Sequence, residues 1–216
     1  MVYYSTVNQI KTNELERLYA QWCKQIREIH TDEELTSFIN NKIKPTISQW
    51  KVNNRSNFMR IGFDSMQQYR VKFILARITK YVDVRRKNGG DASNVAEFYE
   101  GGIEIEHIMP QKYSAAYGIS EDDYNAAKQR LGNLTLLEKT INASIGDDAF
   151  ASKSKAYRQS AYYLTRSIAQ LDDVGQQTAI NRMNQKLRSW SSWGPSMIED
   201  RQAILYDLSE EIWSID

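Results

Sequence analysis

Cysteine and histidine are scarce in this sequence, which has one cysteine and two histidines in 216 residues. A single cysteine, Cys23, cannot form a disulfide within the chain. A structural zinc takes four cysteine or histidine ligands, so small zinc-braced frameworks are excluded as well. The apolar neighbours of Cys23 at helical spacing predict a buried thiol without a catalytic role. The fold must therefore be held together by packing.

Long hydrophobic runs are also missing, and so is a glycine-rich phosphate loop. No run of 18 apolar residues occurs, and residues 1–11 lack a basic stretch followed by an apolar one. We therefore expect neither a membrane helix nor a signal peptide, and a cytoplasmic location. The glycine pairs at 89–90 and 101–102 lack the lysine spacing of a nucleotide-binding loop. The length allows one substantial core or two small, closely joined ones.

Charge of either sign is concentrated in blocks, although the net charge is only +1. Residues 55–88 have a net charge of +7, residues 89–123 of −7, and residues 124–170 of +4. A metal–carboxylate centre between phosphate-binding surfaces would produce this pattern. Solvated helix faces often produce similar blocks, so charge alone leaves both interpretations open.

Apolar residues at three- and four-residue steps predict a mostly helical chain. The helix over 64–87 is capped by Asp64 or Ser65 and ends at the segment 88–90. Its apolar stripe is Met66, Tyr69, Phe73, Ile74, Ile78 and Val82, and its basic faces are either solvated or bind nucleic acid. Other helices are expected over 12–29, from Thr31 to before Pro45, over a short stretch ending near Asn53, over 152–170 and 174–189, and from Pro195 to Trp213.

Residues 103–150 differ from the helical remainder. IEIEHI and GNLTLLEK have the composition of strands, and a helix is expected between them over 121–131. The fold class expected is thus a helical-bundle scaffold, mostly α, around a small β-containing insert of about fifty residues.

Four polar residues bracket this insert: Glu106, His107, Asn133 and Asn142. Adjacent residues of a strand point to opposite sides. Glu106 and His107 therefore reach one centre only if the strand ends or bends there, which Pro110 and the following loop favour.

EHIMPQ followed by RLGNLTLLEKTIN resembles the ββα-metal active site of HNH (His-Me finger) nucleases. More narrowly, GNLTLLEKTINASIGDDAFASKSKAY resembles the C-terminal domain of GmrSD-type modification-dependent restriction enzymes and related phosphorothioate-sensing phage-defence nucleases. The similarity covers about residues 60–170. It implies a nuclease core over 61–170. The helical N-terminal arm over 1–60 and the C-terminal helices over 171–216 are expected from helical character alone. We expect the three segments to form one compact domain, which is either a whole protein or a fragment of a longer one.

The resemblance also implies a role for each polar residue. His107 would be the general base, and Glu106 with Asn142 would hold one Mg²⁺ or Mn²⁺. Asn133 would support catalysis, either by orienting His107 or by bracing the loop through backbone hydrogen bonds. The family commonly has aspartate where Glu106 stands. The expected contacts to substrate phosphates are Lys153, Lys155 and Arg158.

The function implied is a metal-dependent DNA endonuclease or nickase, the effector of a bacterial anti-phage restriction system. Its partners would be DNA and a ParB-like NTPase sensor domain, in the same or another chain. Cutting both strands needs a homodimer or two successive nicks. Two alternatives stay open: a catalytically relict helical module that binds DNA or a partner through residues 55–88, and an RNase with the same centre. His30 and the Tyr and Trp residues are interpreted as structural.

Overall fold

A computed structural model describes residues 2–87, 89–176 and 178–214 of the chain. The described residues form twelve α-helices and one two-stranded sheet. They fall into two compact units, one of residues 2–58 with 213–214 and the other of the described residues within 59–212. Within the described part of the chain, no helix has the length and apolar character needed to cross a membrane.

The first unit is built from short helices. Thr31 and Glu34 form a capping box at the start of the third helix, where acidic residues also suit the helix dipole. A π-helical turn, Ile39–Ile43, then leads into a helix that carries Pro45 in its first turn. The five helices are α1 (Val2–Val7), α2 (Thr12–Ile26), α3 (Asp32–Phe38), α4 (Lys44–Lys51) and α5 (Asn54–Phe58).

Cys23 is exposed, so the expectation of a buried thiol is wrong. Trp22 is the residue of α2 that is buried, and Ile26 is 47% exposed. Successive residues of a helix are about 100° apart around its axis, so Cys23 is turned away from the side that buries Trp22. The apolar stripe of α2 is therefore covered much less than its spacing indicates.

The second unit contains the sheet and the remaining helices. Its two strands, β1 (Ile103–His107) and β2 (Leu134–Glu138), pair antiparallel, from Ile103 opposite Glu138 to His107 opposite Leu134. The expected fold class, mostly α with a small two-stranded insert, is confirmed. The helices are α6 (Gln68–Arg86), α7 (Glu121–Gln129), α8 (Lys139–Ile145), α9 (Phe150–Tyr157), α10 (Tyr163–Ala169), α11 (Ala179–Asn184) and α12 (Pro195–Trp213).

Helix α6 begins later than expected, because Ser65 caps a different turn. The Ser65 hydroxyl accepts a hydrogen bond from the Gly62 amide and donates one to the Gly62 carbonyl, at 2.9 Å each. Ile74, Ile78 and Val82 are buried as predicted, but Tyr69 is 58% exposed. The predicted end of the helix includes Asn88, which lies outside the described residues.

Several basic side chains of α6 hold the protein together. Lys72 donates to the Ile103 carbonyl at 2.8 Å, and Lys80 pairs with Glu97 at 3.2 Å. Arg86 pairs with Asp172 at 3.4 Å. Part of the positive block at 55–88 is thus accounted for by contacts within the protein.

Helix α12, which begins at Pro195 as predicted, fixes the entry of β2. Arg201 is buried, and its guanidinium donates to the carbonyls of Gly132 and Leu134 at 2.8 and 2.7 Å. Gln202 accepts a hydrogen bond from the Gly132 amide at 3.2 Å. A Cβ atom on Gly132 would lie 2.0 Å from the Ile198 carbonyl oxygen, so only glycine allows α12 to approach this closely.

The single helix expected over 152–170 is two helices, α9 and α10. Glu138 accepts hydrogen bonds from the Ser160 hydroxyl at 2.9 Å and the Ala161 amide at 2.6 Å. These contacts hold the linking segment against the end of β2. The helix expected over 174–189 is likewise shorter, since α11 begins after a Thr178 cap and ends at Asn184; residue 177 of that range lies outside the described residues.

Candidate active site

His107 is the last residue of β1, and its side chain is almost completely buried, at 3% exposure. The side-chain amide nitrogen of Gln111 lies 3.3 Å from Nδ1 of His107. The Phe63 ring meets the imidazole edge-on, with a distance of 4.8 Å between the ring centroids. With Gln111 donating, Nδ1 is the acceptor and the neutral ring carries its proton on Nε2. Nε2 is buried without a hydrogen-bond partner among the described residues, and so is Oε1 of Gln129. The Gln129 side chain also borders this imidazole.

The pKa of His107 is lowered from 6.5 to about 4, mainly by burial and also by the nearby ammonium of Lys153. The side chain of Gln129 acts in the opposite direction. A low dielectric surrounding and a like charge both disfavour the imidazolium form. His107 is therefore neutral near pH 7, the state in which an imidazole accepts a proton.

Asn133 braces the loop that follows His107. Its Oδ1 accepts hydrogen bonds from the Met109 amide at 2.7 Å and the Trp193 indole at 2.9 Å. Its Nδ2 donates to the carbonyls of Met109 at 3.1 Å and Lys128 at 2.8 Å. The Ile108 amide also donates to the Asn133 carbonyl at 2.9 Å. Of the two supporting roles considered for Asn133, these contacts favour the bracing one.

Glu106 does not share a side of the strand with His107. The register of the two strands is regular through His107, so neighbouring side chains leave β1 in opposite directions. The Oε1 atom of Glu106 contacts the Lys153 ammonium at 2.7 Å and accepts from the Tyr157 hydroxyl at 2.9 Å. Burial raises the pKa of Glu106, and the contacts with Lys153 and Tyr157 partly offset this rise.

Lys153 has surroundings that differ from those expected of a phosphate contact. Its side chain is buried, at 1% exposure, and its ammonium also donates to the His107 carbonyl at 2.7 Å. A side chain that contacts DNA phosphates must reach solvent. The expected contact with substrate is therefore contradicted by the position of Lys153, which instead holds Glu106 and the end of β1. Lys155 and Arg158 are both exposed, in keeping with a surface role.

Asn142 lies within α8, where its amide donates to the Glu104 carboxylate at 2.8 Å. The expected pairing with Glu106 is thus replaced by a contact with Glu104, two residues earlier on β1. The i, i+2 alternation of a strand puts Glu104 and Glu106 on the same side. That alternation in IEIEH is the signal that would have revealed Glu104, which the sequence analysis missed.

The oxygen donors on this side of β1 suit a hard divalent cation. Mg²⁺ binds through one or two carboxylates, retains several waters and takes substrate phosphates as further ligands. Glu104 and Glu106 supply carboxylates, and Asn142 supplies an amide oxygen if its side chain turns over. No group of three or more His, Cys, Asp or Glu side chains with metal-binding geometry occurs among the described residues. The fit therefore depends on the amide and on water.

A strand, a loop braced by an asparagine, a second strand and a helix thus carry a neutral histidine on one side of β1 and a row of oxygen donors on the other. The family of C-terminal domains of GmrSD restriction endonucleases matches residues 49–208. The chain belongs to this family, which identifies it as a nuclease domain of a restriction system. The match extends the similarity well beyond the segment around residues 60–170. A search of curated proteins found no match to the chain.

Proposed function

We propose that this protein is a metal-dependent endonuclease of the HNH kind, which hydrolyses phosphodiester bonds in DNA. The observation that carries the proposal is the position of His107, a buried imidazole at the end of β1 whose Nδ1 lies 3.3 Å from the exposed Gln111 side chain. A base that stays unprotonated at physiological pH can take a proton from an attacking water. The family membership supports nuclease activity independently of that geometry.

The ring nitrogen assigned to proton transfer is Nδ1. Gln111 is exposed and covers this atom, whereas Nε2 is buried. The Gln111 side chain has to move aside before a water can reach Nδ1. The hydrogen bonds of Asn133 to the backbone of Met109 keep the loop in place during that movement.

Glu104, Glu106 and Asn142 are the residues that would hold Mg²⁺ or Mn²⁺. Such a cation would stabilise negative charge on the phosphate and on the leaving 3′-oxygen. Lys153 and Tyr157 fix the Glu106 carboxylate in one orientation. Lys155 and Arg158 are proposed to contact flanking phosphates, which cationic side chains bind through charge and hydrogen bonds.

The biological role proposed is that of an effector nuclease in a bacterial anti-phage restriction system, acting in the cytoplasm. One such centre cuts one strand, so double-strand cleavage requires a homodimer or two successive nicks. Recognition of the target DNA would be supplied by a ParB-like NTPase sensor in the same or another chain.

The test is to incubate the purified protein with supercoiled plasmid in Mg²⁺, in Mn²⁺ and in EDTA. Nicking is expected with either cation and not with EDTA. Asn142→Ala and Glu104→Gln should each reduce the rate, whereas Asn125→Ala, on an exposed position of α7, should not. Equal nicking in EDTA would contradict a metal-dependent reaction.

A parallel assay with single-stranded DNA and RNA of the same sequence distinguishes a DNA endonuclease from an RNase. Cleavage of RNA in preference to DNA would show an RNase. Binding of DNA without cleavage of any substrate, in either cation, would favour the relict module.

A further inference from the structure

A cavity of about 650 Å³ lies beside the loop that follows His107, within the unit formed by residues 59–212. Its walls are the loop from Pro110 to Tyr117, the start of α9, and the segment from Ser191 to Gly194. Cavities of this size accommodate small organic ligands. The proposed phosphodiester cleavage does not account for it.

Four aromatic side chains line this cavity. Phe150 and Trp193 are buried and stack with a centroid distance of 5.4 Å. Tyr113 and Tyr117 are half-buried, and each contacts Tyr124 edge-on at 5.3 Å. These contacts fix the rings before any ligand binds. A preformed aromatic lining favours a flat, unsaturated ligand.

The charged groups around the cavity suit a nucleotide. Lys112 lines it, and an adjoining cavity of about 580 Å³, which shares Phe150 and Ser191, is lined by Lys155 and Arg158. Aromatic side chains next to cationic ones are the combination by which proteins bind unpaired nucleic acid strands. The Asp147 carboxylate also lines the first cavity, and it can accept a hydrogen bond from an exocyclic amino group of a base.

Both sides of the cavity are hydrogen-bonded to the structure that carries His107. The indole of Trp193 donates to Oδ1 of Asn133, which also holds the Met109 amide. The Asp147 carboxylate accepts a hydrogen bond from the backbone amide of Gln111 at 3.3 Å. A ligand in the cavity would therefore lie next to the loop that covers the catalytic imidazole.

We propose that this aromatic cavity, lined by Tyr113, Tyr117, Phe150 and Trp193, binds one unpaired base of the DNA strand to be cut. The phosphates of that strand then run along Lys155 and Arg158. This inference rests on the proposed nuclease function for the nature of the polymer. A base within a duplex has both faces covered by its neighbours, so it can occupy the cavity only after leaving the stack.

The test is fluorescence anisotropy in EDTA, so that binding is measured without cleavage. The probes are a labelled 12-nucleotide single strand and a strand of the same length in which every base is missing. Stacking contributes roughly 5- to 150-fold in affinity per base, so the intact strand should bind at least about 5-fold tighter. A duplex with one mismatched pair should also bind tighter than a matched one, because its base leaves the stack more easily.

Two variants assign the effect to the cavity. Tyr113→Leu/Tyr117→Leu should abolish the preference for the intact strand, whereas Tyr99→Leu, at an exposed tyrosine outside the cavity, should preserve it. Ala116→Leu fills the cavity from an exposed rim position without removing a core side chain, and its control is Ala126→Leu on the exposed face of α7. Thermal unfolding confirms that each variant is folded.

Equal affinity for the intact and base-free strands would overturn the proposal, and so would the absence of binding to both. A preference that survives in both cavity variants would overturn it as well. Because these measurements exclude metal, they are independent of nicking: a base-dependent affinity with no nicking contradicts the nuclease and supports the cavity.

Discussion

At the scale of single residues, one side chain explains most of the chemistry proposed here. His107 is neutral because it is buried close to the Lys153 ammonium, and it is held in place because Asn133 bonds to the backbone of the next loop. Lys153 in turn neutralises Glu106 on the opposite side of β1. His107 and the acidic side of β1, with Glu104 and Glu106, are therefore linked through the buried Lys153.

The buried His107 predicts a loss of stability in mild acid. Its pKa is lowered to about 4 in the folded protein, so between pH 6.5 and about 4 the unfolded chain binds the additional proton. The free energy of unfolding should therefore fall as the pH is lowered through this range, by roughly 3 kcal/mol from this group. Urea unfolding in EDTA at several pH values measures this decrease in the free energy of unfolding. The free energy of unfolding should depend less steeply on pH in His107→Gln than in wild type, and as steeply as in wild type in His30→Gln. The same pH dependence in all three proteins would contradict burial of a neutral imidazole.

The Glu106–Lys153 pair predicts that replacing Lys153 destabilises the protein much more than replacing the nearby Lys155. Lys153→Met leaves a buried carboxylate without its ammonium, which should lower the free energy of unfolding by about 3–5 kcal/mol. Lys155→Met, at an exposed position of the same helix, should change it by less than about 0.5 kcal/mol. Denaturant titration compares the two variants. Similar small effects would show that Lys153 is not buried against Glu106.

At the scale of secondary structure, the sequence predicted elements better than it predicted their burial. The composition of IEIEHI and GNLTLLEK indicated both strands, and Pro195 indicated the start of α12. The break between α9 and α10 was missed, because it depends on hydrogen bonds that Ser160 and Ala161 donate to Glu138, a residue more than twenty positions away. Helical spacing likewise cannot tell that Lys153 is covered while Lys155 is exposed. Such differences come from tertiary packing.

The approach of α12 to the start of β2 predicts a strict requirement for glycine at position 132. A Cβ atom there would lie 2.0 Å from the Ile198 carbonyl oxygen, so Gly132→Ala must push the backbone of α12 away. The expected loss is about 1–3 kcal/mol in the free energy of unfolding. Gly175→Ala, where no atom lies within 4 Å of the added carbon, is the matched control. Equal stability of the two variants in thermal unfolding would contradict the close contact.

At the scale of the whole molecule, the family match covers nearly all of the unit formed by residues 59–212 and residues 49–58 of the first unit. The matched residues 49–208 include both strands and all of the proposed site. The site residues themselves are separated by up to about fifty positions and are carried by β1, β2, α8 and α9. The motif order in the sequence predicted one centre for Glu106, His107, Asn133 and Asn142, but it did not predict that Glu104 would take the place of Glu106 beside Asn142.

A single centre per chain predicts the order of products from supercoiled plasmid. Open-circular DNA should accumulate first, and linear DNA should appear only after it, because each event cuts one strand. Agarose gels of a time course distinguish the forms. Linear product that appears without an open-circular intermediate, at a rate that rises steeply with protein concentration, would indicate a dimer that cuts both strands together.

The most direct test of the central claim is the initial rate of Mg²⁺- or Mn²⁺-dependent plasmid nicking by His107→Ala, compared with wild type and His30→Ala. Loss of a general base typically costs about 10²- to 10⁴-fold in rate. We expect a loss of this size for His107→Ala with its DNA affinity preserved, and an unchanged rate for His30→Ala. Nicking by His107→Ala at the wild-type rate would contradict the assignment of His107 as the base.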